Sequence, residues 1–162
     1  MSVRDVLLYP DRRLKEVAPP AQGPDAERIA ADLLDTMDSL GHCVGLAAPQ
    51  IGEAARVAVV DVTEHPRGAD RNNGRLVLVN PVIVFASGKD VGREGCLSIP
   101  DLTANVRRAK RIRVEHAGGG FESRGFEARC IQHELDHLDG VLFLDRVASL
   151  VDDVFRRRTY SP

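Results

Sequence analysis

The segment Gln132-His133-Glu134-Leu135-Asp136-His137-Leu138-Asp139-Gly140 reads as the last turns of a helix carrying a His-Glu-x-x-His pattern. Histidines four apart lie one above the other on a helix, with Cβ atoms ~5–6 Å apart, close enough to share one metal ion. Glu134 sits about 100° round from His133, so it can face the same site without binding the metal. Two imidazoles with a carboxylate beside them are the elements of metal-assisted hydrolysis. On the same wheel Phe126, Cys130, His133 and His137 form one stripe, continued by Ile131, Glu134, Leu135 and Leu138. Arg129, Gln132, Asp136 and Asp139 cluster on the opposite side and are expected to face water. A buried carboxylate without a partner is costly, so a helix that aims three polar side chains inward has a chemical reason to do so. The plain alternative is two satisfied core histidines and a chance glutamate.

Two ligands do not complete a site. The run from His133 fits the longer His-Glu-x-x-His-x-x-Gly-x-x-His pattern up to its last position, where Phe143 stands and cannot bind metal. No glutamate follows Glu134, so the downstream glutamate of thermolysin-type sites is missing too. The third ligand must come from upstream, where Cys43, Cys96, Cys130 and His116 are the donors.

With 162 residues the chain is long enough for one domain, spanning 1–162, with its own core. A net charge of −2 gives no global basic surface, so no direct nucleic-acid binding is expected. Neither a signal peptide nor a membrane span is evident in the sequence. Three cysteines, an odd number, suggest a reducing cytoplasm.

Residues 1–24 read as extended and turn-rich, because Pro10, Pro19, Pro20 and Pro24 block helix. A helix follows on the spacing of Ile29, Leu33, Leu34, Met37 and Leu40, with Asp25 as its cap and Gly41 as its stop. Segments 56–62, 76–85 and 111–115 read as strands, and Pro81 marks an edge or bulge in the second. A final amphipathic helix is expected at about 147–158, with Arg156, Arg157 and Arg158 in its last turn. The charged run 107–113 reads as a solvated face, and His42, His65 and His116 as surface or turn residues. Strands first and the site helix late argue for an α+β fold, mostly antiparallel sheets packed around the central helix that carries the motif.

Three segments together resemble the peptide deformylase family: Gly45-Leu46-Ala47-Ala48-Pro49-Gln50, Glu94-Gly95-Cys96-Leu97-Ser98 and Gln132-His133-Glu134-Leu135-Asp136-His137. Asn80-Pro81 is similar as well, and the likeness runs from residue 10 to about 145. The resemblance implies that Cys96 joins His133 and His137 as metal ligand, with Fe(II) as the physiological ion and Zn, Ni or Co able to replace it. It implies removal of the N-formyl group from formyl-methionine on newly made polypeptides; the cytoplasm is the expected location, and the ribosome is only a candidate further partner, which the sequence does not specify. Glu134 is then the general base. Gln50 and the backbone N–H of Leu97 steady the oxyanion, Val44 and Gly45 meet the substrate backbone, and the methionine pocket lies near Val44 and Cys130. Glu94 becomes a structural acceptor for the Cys96 loop. Cys43 departs from the family, which usually has glycine there; its side chain narrows access or adds an oxidisable thiol. Two other readings stand beside this one: a metallopeptidase of another kind, and a non-catalytic metal- or peptide-binding module that kept the fold.

Overall fold

The computed structural model describes residues 2–157. The N-terminal segment is extended apart from a one-turn 3-10 helix at Arg12–Lys15. Helix α1 (Gly23–Ser39) begins two residues before the expected cap: Gln22 is the N-cap, and Pro24 occupies the first turn, where a missing N–H costs nothing. Leu40 caps its C-terminus, and Gly41 follows in the left-handed region.

Strands β1 (Gly45–Ala47), β2 (Val57–Val60) and β3 (Leu76–Val79) form one antiparallel sheet in that order. Strand β2 is apolar at every position because both faces are covered. Val57 and Val59 join the core under α1 with Ile29, Leu33, Met37 and Leu46, whereas Val60 joins the core on the other side. Each such side chain contributes roughly 1.5–3 kcal/mol when fully buried. The expected strand 76–85 is two strands, broken at Asn80, whose φ is 51°. The Asn80 side chain accepts from Ala21 N at 2.8 Å and donates to Ala21 O at 3.1 Å, which anchors the break to the N-terminal segment.

Beyond the break, β4 (Val82–Ser87), β7 (Arg111–His116) and β8 (Gly119–Arg124) form a second sheet, in the order β4-β7-β8. Strands β5 (Asp90–Cys96), β6 (Ile99–Arg108) and β9 (Val154–Arg156) form the third. Every pairing among the described residues is antiparallel. Helix α2 (Gly125–Leu138) carries the His-Glu-x-x-His motif and packs against β1, β2, β7 and β8, with Ile131 and Leu138 fully buried. The α+β expectation and the central helix both hold.

Two further expectations fail. Residues 147–157 are not a helix: the chain turns at Ser149, which hydrogen-bonds Asp152 and Asp153, and then pairs Val154, Phe155 and Arg156 with Ala104, Thr103 and Leu102 of β6. Leu150 and Val151, which an amphipathic helix here would turn toward the core, are 70% and 90% exposed. The open edge of β6 outcompeted a weak amphipathic stripe. Arg156 therefore ends a strand, Arg157 follows it, and Arg158 lies outside the described residues.

The second failure is the outer face of α2. Arg129 and Asp136 are buried, at 4% and 8% exposure, and only Gln132 and Asp139 reach toward solvent. Arg108, from the supposedly solvated run, covers them: its Nη1 donates to Asp136 Oδ2 at 2.5 Å, and its Nε and Nη2 each donate to Glu94 at 2.9 Å. Arg146 adds a bidentate pair to Asp136.

Candidate active site

The three segments singled out in the sequence meet on one side of α2. Helix α2 supplies His133, Glu134 and His137. Strand β5 ends at Cys96, and β1 runs into the 3-10 turn Ala48–Ile51 that holds Gln50. The donor atoms of Cys96, His133 and His137 lie within 4.8 Å of one another, with Cys96 Sγ 3.4 Å from His137 Nε2. A sulfur and two imidazole nitrogens suit a divalent transition metal. Of the upstream donors left open by the residues alone, Cys43 and Cys130 line the adjoining cavity outside this cluster, and His116 is at the end of β7.

Hydrogen bonds orient the histidines. His133 Nδ1 donates to Glu94 Oε1 at 2.9 Å, which leaves Nε2 free to face the cluster. Burial acts to lower the His133 pKa, but hydrogen bonds with Cys96 and Glu94 outweigh it and hold the ring well above its ordinary value. Burial, reinforced by the charge of His133, holds His137 well below that value. His137 is therefore neutral, the form in which imidazole binds a cation.

Glu94 is saturated. Besides His133 and both bonds from Arg108, it accepts from Arg129 Nη1 at 2.8 Å. Burial alone would raise its carboxyl, yet the bonds from His133 and Arg108 hold it far below the usual carboxylate range. Glu134 is the reverse: Oε1 is buried with no hydrogen-bond partner among the described residues, and burial pushes the group up to about 7. Its Oε2 comes so close to the β1 backbone that a Cβ on Gly45 would sit 2.6 Å from it. Glycine at 45 is what allows this carboxylate to stand where it does.

The cluster opens into a cavity of about 320 Å³ lined by Val44, Gly45, Gln50, Cys96, Leu97, Cys130, His133 and Glu134. Every candidate site residue from the sequence except His137 lines it, and His137 reaches it through Cys96. Gln50 is buried; its Oε1 accepts from Ala47 N, and its Nε2 donates to Ser98 Oγ at 3.1 Å and, weakly, toward Cys96 Sγ at 3.5 Å. Cys43 also lines the cavity and donates its thiol to Gly45 O at 3.0 Å. Burial and the neighbouring Glu134 charge push that thiol up to about 12.

Sequence reasoning missed several residues of the cavity mouth. His65, read as a surface residue, stacks on Phe126 with centroids 4.3 Å apart, and Arg67 covers the same ring at 5.0 Å. Arg93 and Arg157 line the opposite rim. The positions of Phe126 and Arg93 beside the two motifs were the only signals available, and neither has a pattern of its own.

Comparisons with known proteins agree with this geometry. The sequence model of the polypeptide deformylase family matches residues 3–153. A peptide deformylase of Alkalilimnicola ehrlichii is 45% identical over 98% of this chain and 89% of its own length, and one of Rhizobium meliloti is 41% identical over 98% and 92%. Among solved structures, the peptide deformylase of Ehrlichia chaffeensis in complex with actinonin superposes with a TM-score of 0.84 at 33% identity, covering 93% of this chain and 92% of that one. The Met-Ala-Ser-bound class I type b enzyme of Acinetobacter baumannii gives 0.81 at 36% identity, covering 91% and 100%. Matched in fold and along nearly its whole length, the chain belongs to the polypeptide deformylase family.

Proposed function

We propose that the cavity beside α2 is the active site, with Cys96, His133 and His137 as metal ligands and Glu134 as general base. As a family member the protein is a metal-dependent hydrolase that removes the N-formyl group from the formyl-methionine of newly made polypeptides. The observation that carries the assignment is the convergence of three metal-binding atoms beside a buried, unpartnered carboxylate.

A divalent cation held by the three ligands supplies Lewis acidity, polarising the formyl carbonyl and making water easier to deprotonate. The chain's own residues do the rest. Glu134, with its pKa near neutrality, takes a proton from the attacking water and returns it to the amine nitrogen as the C–N bond breaks. Formate and a free amino terminus are the products. Gln50 Nε2 offers a hydrogen to the formyl oxygen as it gains charge, because its bond toward Cys96 is weak, and the Leu97 N–H is the second donor. Strands β1 and β5 are both sheet edges that border the cavity, so an extended peptide can hydrogen-bond to either. Val44 and Gly45 meet its backbone, and Val44 and Cys130 give the methionine side chain an apolar wall.

Fe(II) is the resident ion of this reading, with Zn, Ni or Co as substitutes, since one sulfur and two imidazoles suit all four. A cytoplasmic location suits a substrate that is a nascent chain, and the ribosome is a candidate partner on the same ground. No helix among the described residues is long and apolar enough to cross a membrane. The test is formate release from formyl-Met-Ala-Ser by anaerobically purified protein, paired with metal analysis. Wild type should hold one ion per chain and turn over, and Cys96→Ser should lose most of its metal. Metal retained and activity intact in Cys96→Ser would overturn the ligand assignment.

A further inference from the structure

The mouth of the cavity is lined by His42, Arg67, Arg93 and Arg157, all exposed. Its only acidic lining residues, Glu94 and Glu134, are buried, so the rim that a peptide crosses is cationic. Two of these arginines are held in place by the C-terminal strand. Arg93 lies over the Phe155 ring at 3.8 Å and donates to Asn105 Oδ1 at 3.1 Å. Arg157 leaves β9 with its N–H bonded to Asp101 O at 2.8 Å, and its guanidinium rests on Gly95. A Cβ at position 95 would meet that guanidinium, which would have to swing aside. The Arg157 side chain has no hydrogen bond or ion pair among the described residues.

Alternation along β5 fixes what these charges can reach. Glu94 and Cys96 point toward α2, whereas Arg93 and Gly95 share the outer face, opposite Asn105 and Thr103 of β6. A peptide lying along the open edge of β5 places alternate side chains on that same outer face, between Arg93 and Arg157.

We propose that Arg93 and Arg157 are specificity residues that favour formyl-methionyl peptides bearing a carboxylate within the two residues after methionine. The inference rests on the active-site reading above. The carboxylate comes either from an Asp or Glu side chain or from the C-terminus of a very short peptide. Guanidinium groups without acidic partners bind either one through the same forked hydrogen bonds.

The test compares kcat/KM for formyl-Met-Ala-Glu-amide against formyl-Met-Ala-Lys-amide, and for the pair with Glu or Lys in position two. A third pair is formyl-Met-Ala-Ser as free acid and as amide. At low salt the carboxylate-bearing peptide should win by about threefold or more in at least one pair, as expected for charges at a solvent-exposed rim. The side-chain pairs and the acid–amide pair tell the two sources apart. Alternation predicts unequal ratios at positions two and three, and 1 M salt should bring every ratio toward one. Arg157→Glu should reverse the preference. Arg113→Gln, which removes the same charge from β7 outside the cavity, should not change it. Ratios near one in all three pairs at low salt, with turnover intact, would overturn the proposal. Failure to turn over any of the peptides would instead count against the active-site reading on which it rests.

Discussion

Glu94 and Glu134 are both buried carboxylates that adjoin His133, yet they are wired in opposite ways. Glu94 accepts hydrogen bonds from Arg108, Arg129 and His133, and has lost its affinity for protons. Glu134 has a buried oxygen with no partner and a pKa near 7. Burial is common to both, so burial does not decide the role. The supply of cationic donors does: an ionised carboxylate surrounded by arginines is scaffolding, and one left short of donors is ready to exchange protons. The protein thus separates rigidity from reactivity across one imidazole ring.

The largest effect expected from breaking this contrast is on turnover. Glu134→Ala should keep the fold and the bound metal and lose activity by ~10²–10⁴-fold, the usual contribution of positioned acid–base catalysis. Formate release and metal content measured on the same preparation check it. Near-native turnover would remove Glu134 from the mechanism, and loss of metal would make it a ligand or a support instead.

Glu94→Gln should strike stability instead. Removing one member of a buried charge network leaves Arg108 and Arg129 undercompensated and typically costs about 3–5 kcal/mol. His133 also loses the partner that orients it, which weakens metal binding by roughly 10–100-fold. The two carboxylates should differ in pH dependence as well, in metal-stripped protein. Glu94 is depressed below its ordinary 4.5, so its stabilisation is present above that pH and is lost as the pH falls below it. Glu134 is raised from 4.5 to about 7, so its contribution is complete below 4.5 and is lost as the pH rises through 7. Urea midpoints across pH 4–8 should therefore fall more, or rise less, with pH in wild type than in Glu134→Gln, because His133 and His137 titrate alike in both. An unchanged slope in that variant would show that Glu134 titrates normally.

The same contrast explains what could be read from the sequence. A helical wheel put His133, Glu134 and His137 on the inner face because their stripe continues through Ile131, Leu135 and Leu138, and that information is local. The third ligand was local to nothing: Cys43, Cys96, Cys130 and His116 stood level until the resemblance singled out Cys96. The wheel sent Arg129 and Asp136 to solvent because it registers polarity and cannot see Glu94, Arg108 and Arg146 arriving from other elements. A polar residue on the far side of a helix is exposed only when nothing brings it an opposite charge. The C-terminal segment failed for a related reason. Val154 and Phe155 suit a helix stripe and a strand equally, and the free edge of β6, an element distant in sequence, made the choice. That strand delivers Arg157 to the cavity mouth, so a rim residue was hidden by the same error.

The smallest effect expected is on Cys43, which reports the charge of Glu134 from the side. Its thiol is pushed up to about 12, first by burial and then by the charge of Glu134. Alkylation requires the thiolate, so Cys43 in the metal-loaded enzyme should react with iodoacetamide far more slowly than a free cysteine near its ordinary value of 9.0. Glu134→Gln removes the negative neighbour and leaves the burial, so the rate at Cys43 should rise, though only by a few-fold, because burial is the larger cause. Glu94→Gln should change the rate less than Glu134→Gln does, because Glu134 is the carboxylate whose charge acts on the Cys43 thiol. Peptide mapping by mass spectrometry separates Cys43 from Cys130, whose thiol burial raises further still. Equal acceleration by the two substitutions would mean that both charges reach Cys43 alike, and the division between a quenched and an active carboxylate would then fail at the distance of one side chain.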